Sequence, residues 1–449
     1  MISRKIKAVA MASLLSVPLL AQQEGAWTLQ QCIDHALSHN LQLKQSRASE
    51  QTAAINLTQA RAGLLPSLNA NISQGLSYRP FQESGSSLVN GGVATQAANK
   101  LTQNGSYGIN ASWTVWNGGR NRLNIRSSEL ESERAELSTQ AQANSIQEQI
   151  AQLYVQILYM QEAATVNEEL LRHDSLVWAR GKEFVREGQM SRADLAQLQA
   201  QVSSGRYDVV NVRTQIANLK MQLKQLLEIA PTNDIDIAAT PVSEAQVLNV
   251  IPAKLDIYAA ALASRPEIRS SETAILQSET DLKLARAGYM PDINLSANLG
   301  DSHITGTSTN FFNQIKNNFA ANLGVSVSIP IFDNRANKSN VERAEVSQLM
   351  AELQLQEAQR QLFSTVEGYW LNATNAQQKY IAARDNVHSR QTGYDLCEEQ
   401  FRLGLKNIVE LLTARGNLLQ AKQDLLQDKY TTVLNRALLN FYAGQPITL

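Results

Sequence analysis

The feature that most constrains the fold of this 449-residue chain is an internal repeat. The segment ARAGLLPSLN at residues 60–69 returns as ARAGYMPDIN at residues 285–294, an offset of 225. TVWNGGRNRLNI at residues 114–125 corresponds to PIFDNRANKSNV at residues 330–341, an offset of 216. The same offset relates REGQMSRADL at residues 186–195 to RLGLKNIVEL at residues 402–411. Three matches in the same order indicate two copies of one unit of roughly 200 residues.

Each copy is predicted to contain a first helix, a pair of strands, a very long helix and a returning helix. The helices cover about residues 29–62, 120–185 and 191–228, and then about 254–287, 336–401 and 407–442. Gly63 and Gly288 follow the first helix of each copy, at the position of a C′ glycine. At 1.5 Å per residue the long helices span roughly 100 Å, so they must pack side by side. Their apolar residues follow coiled-coil spacing, as at Ile146, Ile150, Leu153 and Ile157.

The ends of the repeats define the predicted domains. Arg4, Lys5 and Lys7 precede an apolar stretch at residues 8–20, which indicates a signal peptide at residues 1–21. A short N-terminal anchor is the alternative. We predict a first repeat at residues 22–230, a linker at 231–252 that contains APTNDIDIAATP, and a second repeat at 253–449.

Composition narrows the classes of function. Lys plus Arg number 40 against 41 Asp plus Glu, for a formal net charge of −1. A nucleic-acid partner is not expected, because neutralising phosphates requires a basic excess. After residue 21 no window of about 18 mostly apolar residues occurs, so no conventional transmembrane helix is predicted. Cys32 and Cys397 are too few for a disulfide framework or a cysteine-rich zinc site.

Four segments alternate between apolar and polar residues and are predicted to be strands. They lie at about residues 67–78, 106–116, 292–300 and 318–331. A strand in a soluble sandwich alternates in the same way, but four matching strands beside a signal peptide favour a membrane β-barrel. Four strands cannot close a barrel and lipid forbids open edges, so three protomers would supply twelve strands. Trp113 and Trp116 suit the interfacial aromatic girdle of that barrel.

These motifs together resemble the TolC family of outer-membrane efflux proteins. The resemblance rests on the two ARAG segments, on VWNGGRNR and IFDNRANK, and on the helix turns around Gly188 and Gly404. It implies a fold that is mainly α with a membrane β-barrel: a homotrimer with a 12-stranded barrel in the outer membrane of a Gram-negative bacterium. Long coiled-coil hairpins would form a periplasmic tunnel below it.

The function that this resemblance implies is a passive exit duct for a tripartite efflux pump or type I secretion system. Its partners would be outer-membrane lipid, a periplasmic adaptor protein and an inner-membrane pump of the RND, ABC or MFS class. A secreted coiled-coil scaffold without a pore and a general porin are the alternatives, although a porin needs many more strands per chain.

The helix turns carry the predicted site. Ser191 and Asp194 follow Gly188, and Asn407 and Glu410 follow Gly404, so each acid is placed to cap a helix. Capping as their only role is one alternative. The resemblance implies instead that this region closes the periplasmic mouth, with gate positions at Asp194, Phe401, Lys406, Glu410 and Thr413. It also makes the turns candidates for adaptor contact, at Gly188, Gln189, Met190, Gly404 and Leu405.

Two of these residues depart from the family pattern. Phe401 replaces an expected tyrosine, so a hydroxyl link is missing, and Thr413 replaces a second expected acid. Three Glu410 carboxylates around a threefold axis would repel and raise one another's pKa.

Signals for catalysis are weak. His35 and His39 share a helix face, but Asp34 is the only obvious further ligand, so a solvated helix is favoured over a metal site. No phosphate-binding glycine loop, HExxH motif or nucleophile elbow is found. We therefore expect neither an enzyme nor a bound cofactor.

Overall fold

The computed structural model describes residues 26–81, 85–89, 92–96, 100–239, 241–305 and 309–449, so the predicted signal peptide lies outside this range. The first copy contains α1 (Leu29–His39), α2 (Leu41–Ala62), β1 (Ser67–Tyr78), β2 (Gly85–Val89), β3 (Gly92–Gln96), β4 (Leu101–Trp116), α3 (Arg120–Arg186) and α4 (Arg192–Leu227). After α5 (Glu244–Leu248), the second copy contains α6 (Lys254–Ser264), α7 (Pro266–Ala287), β5 (Asp292–Ile304), α8 (Phe311–Asn318), β6 (Ala320–Ser328), α9 (Ala336–Arg402) and α10 (Ile408–Tyr442).

The first helix of each copy is broken in two, so the prediction of one continuous helix was wrong. Asn40 separates α1 from α2 with a ψ of 130°, and its Oδ1 accepts the N–H of Leu43 at 3.1 Å. Arg265, at the same position of the second repeat, separates α6 from α7. Pro266 accounts for this second break, because a residue before proline disfavours the helical conformation.

Gly63 and Gly288 end α2 and α7 with a φ of −62°, so neither takes the left-handed conformation expected of a C′ glycine. At Gly288 the requirement is space, since the side-chain amide oxygen of Asn337 fills the place of a Cβ. Asn337 also donates its amide N–H to the Gly288 carbonyl at 3.0 Å. This contact ties the end of α7 to the start of α9.

Four antiparallel strands form one sheet in the order β1-β4-β5-β6. The two repeats meet at its centre, where Ile109 of β4 lies opposite Leu299 of β5. β4 begins before the predicted residue 106 and β5 continues beyond residue 300. β6 is shorter than the predicted 318–331 and ends before Pro330, which cannot donate to a ladder.

The sheet does not close on itself. In the described part of the chain, β1 pairs only with β4 and β6 only with β5, so each has one free edge. The segments that connect the paired strands contain further elements: β2 and β3 form a hairpin, and α8 follows β5.

The long helices α3 and α9 have 67 residues each and organise the helical body. Near the sheet α3 packs against α2 and α7, and α9 packs against α7. Farther away α3 pairs with α4 and α9 with α10 as two antiparallel hairpins. We call α3–α4 hairpin 1 and α9–α10 hairpin 2. Ile146, Ile150 and Ile157 are fully buried as the heptad spacing predicts, but Tyr154 is buried where Leu153 was expected. The Tyr154 hydroxyl donates to the carbonyl of Ala238 in the linker, at 3.0 Å.

Among the described residues, no helix combines the length and the apolar character needed to cross a membrane.

Candidate functional site

Both hairpins turn through the same backbone motif at the end far from the sheet. Gly188 has a φ of 75°, and the N–H that follows it donates back to the carbonyl of Phe184 at 2.7 Å. Gly404 has a φ of 74°, and the next N–H reaches the carbonyl of Gln400 at 2.9 Å. These are Schellman helix ends, in which glycine adopts the left-handed conformation without a Cβ penalty. We call the two turns with their flanking residues the tip.

The acids after each turn cap the returning helices. Ser191 Oγ accepts the backbone N–H of Asp194 at 3.0 Å and donates to its carboxylate at 2.8 Å. Asn407 Oδ1 accepts the backbone N–H of Glu410 at 2.9 Å. Both carboxylates therefore lie in the first helical turn, where the helix dipole favours negative charge.

Glu410 has a counter-charge within its own chain. The ammonium of Lys406 forms an ion pair with the Glu410 carboxylate. This hydrogen bond holds the pKa of Glu410 below its ordinary value of 4.5 and raises the pKa of Lys406. The four-residue spacing was visible in the sequence. Each Glu410 thus brings its own cation, which offsets the mutual repulsion expected from three bare carboxylates.

The remaining residues predicted to form the gate have different surroundings. Thr413 donates its hydroxyl to the carbonyl of Val409 at 2.7 Å, within its own helix. Phe401 is half-buried in an apolar cluster that joins the two hairpins. Asp194 forms no hydrogen bond or ion pair with Phe401, Lys406 or Glu410 within the described chain.

A groove of about 400 Å³ runs between α9 and α10 and brings Lys406, Glu410 and Thr413 together. At the turns themselves, Gly188, Gln189, Gly404 and Leu405 are exposed. Leu405 is 73% exposed.

Met190 differs from the other turn residues. It is half-buried in the apolar cluster that also holds Trp178 and Leu198. Its side chain therefore packs between the hairpins, whereas the other four turn residues are exposed and available for contact with another protein.

A buried polar network joins the hairpins above the tip, and no part of it was predicted. Arg415 of α10 pairs with Asp174 of α3 at 2.9 Å, with side chains only 8% and 7% exposed. Nearby, His173 Nε2 lies 3.1 Å from a carboxylate oxygen of Glu398, and its Nδ1 lies 3.1 Å from the hydroxyl of Tyr394. We call these five residues the cross-hairpin network.

Burial is the largest cause of the pKa shifts of two residues in this network, Asp174 and Tyr394. It raises the pKa of Asp174, and the guanidinium of Arg415 acts in the opposite direction. Burial also raises the pKa of Tyr394, with the neighbouring Glu398 carboxylate adding to the effect. The sequence carries no signal for this network, because its members come from α3, α9 and α10, and the residues of α3 are distant in the chain from those of α9 and α10.

The predicted girdle residues lie where β4 runs into α3. Trp113 and Trp116 are 39% and 42% exposed. The indole N–H of Trp113 donates to the carbonyl of Leu64 at 2.9 Å. An apolar ring with a satisfied polar end suits a membrane interface.

The other sequence candidates do not form a chemical site. The rings of His35 and His39 stack at 4.1 Å, and the described residues contain no group of three or more metal-ligating side chains. Cys32 is buried and Cys397 is half-buried, and both are free thiols.

Comparison with known proteins identifies relatives over almost the whole chain. A family model described as outer membrane efflux protein matches residues 32–227 and 257–445. Outer membrane efflux protein BepC of Brucella suis is 25% identical over 439 residues, which cover 96% of this chain and 89% of that protein. Outer membrane protein TolC of Escherichia coli is 25% identical over 446 residues, covering 94% of this chain and 83% of that protein.

Solved structures show the same fold. A crystal structure of CusC superposes with a TM-score of 0.78 at 21% identity and covers 92% of this chain and 91% of its own. The Campylobacter jejuni CmeC outer membrane channel gives a TM-score of 0.75 at 20% identity and covers 94% and 87%. The predicted fold class, mainly helical with four sheet strands and two internal repeats, is confirmed.

Proposed function

Because the chain belongs to the outer membrane efflux protein family, we propose that three copies form a passive duct through the outer membrane, gated at the helical tip. The family consists of outer membrane efflux channels, so the protein is located in the outer membrane and is not an enzyme. The predicted resemblance is thereby confirmed.

The open sheet supports the trimer. The free edge of β1 extends over 12 residues and that of β6 over 9. Unpaired backbone N–H and C=O groups are costly in hydrocarbon, so each edge requires a strand from another copy. Three four-stranded sheets joined β1 to β6 would close a twelve-stranded barrel, and the hairpins beneath would line one continuous tunnel.

The ion pair between Lys406 and Glu410 is the observation that carries the gate. It lies in a groove on hairpin 2 at the narrow end of the proposed tunnel, where three copies would meet. We expect Glu410→Gln or Lys406→Ala to raise the single-channel conductance of the purified protein in a planar bilayer, because each leaves one charge of the ion pair without its counter-charge in all three copies, and these like charges then repel at the constriction.

Glu342→Gln is the matched control for the gate. Glu342 accepts an ion pair from Arg335 at 3.2 Å near the start of α9, far from the tip. The single-channel conductance of the Glu342→Gln variant should equal that of the wild type. Unchanged conductance in both tip variants would refute the gate assignment and leave capping as the role of Glu410.

The exposed turns supply the surface for a periplasmic adaptor, which would connect the duct to an inner-membrane pump of the RND, ABC or MFS class. Cross-linking from Gln189 and Leu405 to a co-expressed adaptor is expected, and contacts confined to other regions would contradict it. A heat-sensitive trimer in outer-membrane fractions would separate the duct from a secreted scaffold. Loss of drug tolerance or of a secreted protein on gene deletion would separate it from a porin.

A further inference from the structure

The apolar face of the sheet changes character at the end far from the helices. Over most of its height this face exposes large apolar side chains, such as Leu68, Ile109 and Leu323. Nearer the far end, Gln74, Gly105 and His303 stand opposite one another on adjacent strands. The strand register places this row on the same face as Ile109 and Leu299, so a polar patch interrupts the apolar surface near its outer end, with Leu76, Tyr78 and Leu101 still farther out.

The patch forms a defined pocket of about 510 Å³ between the sheet and α8. The imidazole of His303 fills the space that a side chain on Gly105 would occupy. It lies parallel to the ring of Tyr107, with centroids 5.8 Å apart, and meets the edge of Phe311 at 4.8 Å. His303 is only 8% exposed, and its Nδ1 has no hydrogen-bond partner among the residues that the structure describes.

The side chain of Gln314 closes the pocket on the α8 side. It bonds the backbone of Ile304 as a neighbouring strand would, accepting its N–H at 2.8 Å and donating to its carbonyl at 3.0 Å. The amide of Asn318 donates likewise to the carbonyl of Ser302, at 2.6 Å. α8 therefore covers the end of β5 and holds Phe311 over the pocket.

The side chains that line the pocket can form hydrogen bonds, and none of them carries a permanent charge. Gln74 donates to the Tyr107 hydroxyl at 2.5 Å and accepts from Gln103 at 3.5 Å. A concave site that combines amides, hydroxyls and aromatic rings suits a neutral polyhydroxylated ligand. Each hydroxyl of the ligand can find a donor or acceptor, and an aromatic ring of the protein can cover the apolar face of the ligand. None of the described lining residues is a lysine, arginine or acid, which disfavours a site built for a free anion or a metal ion.

An apolar depression lies below the pocket on the same face, beyond the row in which Tyr107 stands opposite Asp301. It measures about 320 Å³ and is lined mainly by Leu68, Ile109, Leu299 and Leu323. A ligand that fills both sites must join a polar headgroup to hydrocarbon. With the helices on the periplasmic side, the pocket stands at the height of the outer leaflet.

We propose that this pocket binds the sugar headgroup of a glycolipid in the outer leaflet, with its acyl chains lying over the apolar depression. The inference rests on the proposed function, since it requires this face to contact lipid. It adds a specific lipid site to the wall of the duct, separate from the cargo path and from the tip.

Native mass spectrometry of the full-length protein tests the proposal. The protein is reconstituted in phosphatidylcholine nanodiscs with an acylated glucosamine disaccharide, and the glycolipid retained per chain is measured across a titration. Gln74→Leu with Tyr107→Phe removes two polar groups of the pocket. The matched control is Tyr78→Phe, an equally conservative change at a 66% exposed position on the same face but outside the pocket.

Wild type and Tyr78→Phe are expected to retain one glycolipid per chain, and the double variant to bind about ten- to a hundredfold more weakly, since each of the two lost hydrogen bonds costs about a three- to tenfold factor. Equal retention by the double variant would overturn the proposal. Equal competition by phosphatidylcholine, or equal binding of the disaccharide without acyl chains, would also overturn it. Conductance of the same preparations tests the duct separately, because a working channel without glycolipid retention refutes only the lipid site.

Discussion

The buried pair of Asp174 and Arg415 offers the sharpest test of how the two hairpins are held together. Arg415→Met keeps the length and apolar stem of the side chain and removes the guanidinium. Asp174 then remains 7% exposed with no cation at 2.9 Å. Gln201, whose amide lies 3.5 Å from the Asp174 carboxylate, is a weak substitute.

The expected cost follows from burial. Removing one member of a buried ion pair typically costs about 3–5 kcal/mol, because the other charge is left without compensation. At about 1.4 kcal/mol per factor of ten, the opening equilibrium of hairpin 2 should shift by about a hundredfold to a few thousandfold. Adding Asp174→Leu removes the orphaned charge, so the double variant should recover most of that loss.

Native-state hydrogen exchange of the solubilised protein measures this cost locally, from the protection of amides in α10. Arg213→Met is the matched control, because Arg213 pairs with Glu168 at 2.6 Å between α4 and α3 with side chains 67% and 45% exposed. An exposed ion pair contributes at most about 1 kcal/mol to stability, so in Arg213→Met the protection of amides in α4 should fall by no more than about fivefold.

The loss should also depend on pH. Burial raises the folded-state pKa of Asp174 above its ordinary 3.8, and removing Arg415 takes away the influence that opposes this rise. The defect of Arg415→Met should therefore be full at alkaline pH and shrink as the carboxyl protonates in acid. Equal effects of Arg415→Met and Arg213→Met, or no recovery in the double variant, would refute the reasoning.

Two further predictions concern the tip. Because the pKa of Glu410 lies below its ordinary value of 4.5, its ion pair with Lys406 is intact above that pH and is lost only as the pH falls through the depressed pKa. Bilayer conductance should therefore stay constant from neutral pH down to 4.5 and rise only at lower pH, and a rise already near neutrality would contradict the assignment. Gly404→Ala places a Cβ at a φ of 74° and should destabilise the turn by about 1–2 kcal/mol. Gly393→Ala, in open space within α9, should stabilise by up to about 1 kcal/mol, and thermal unfolding of the two variants in detergent should shift in opposite directions.

Much of the fold was predictable because its signals are local. The alternation of β1 and β4 and the glycines at 188 and 404 each depend on residues close together in the chain, and the repeat follows from comparing one segment of the sequence with another. The capping positions of Asp194 and Glu410 and the pairing of Lys406 with Glu410 follow from spacings of three and four residues. Such patterns reflect backbone geometry that any helix or strand imposes.

The helix breaks show the limit of local signals. Pro266 marks the second break in the sequence, but Asn40 marks the first only weakly. In the structure, the Asn40 side chain donates to the carbonyl of Leu226 at 2.9 Å, a contact with the end of α4. The helix breaks at Asn40 because its side chain can bond a backbone carbonyl that is distant in the chain.

The strands and very long helices of the two repeats can be predicted from the amino-acid sequence alone, because periodicity and turn chemistry depend on neighbouring residues. The contact of Asp174 with Arg415, the pairing of β4 in one repeat with β5 in the other, and the packing of His303 over Gly105 are visible only in the folded chain. These contacts join residues that are distant in the chain. Their energies come from burial and from charge compensation, which exist only once the elements have packed together.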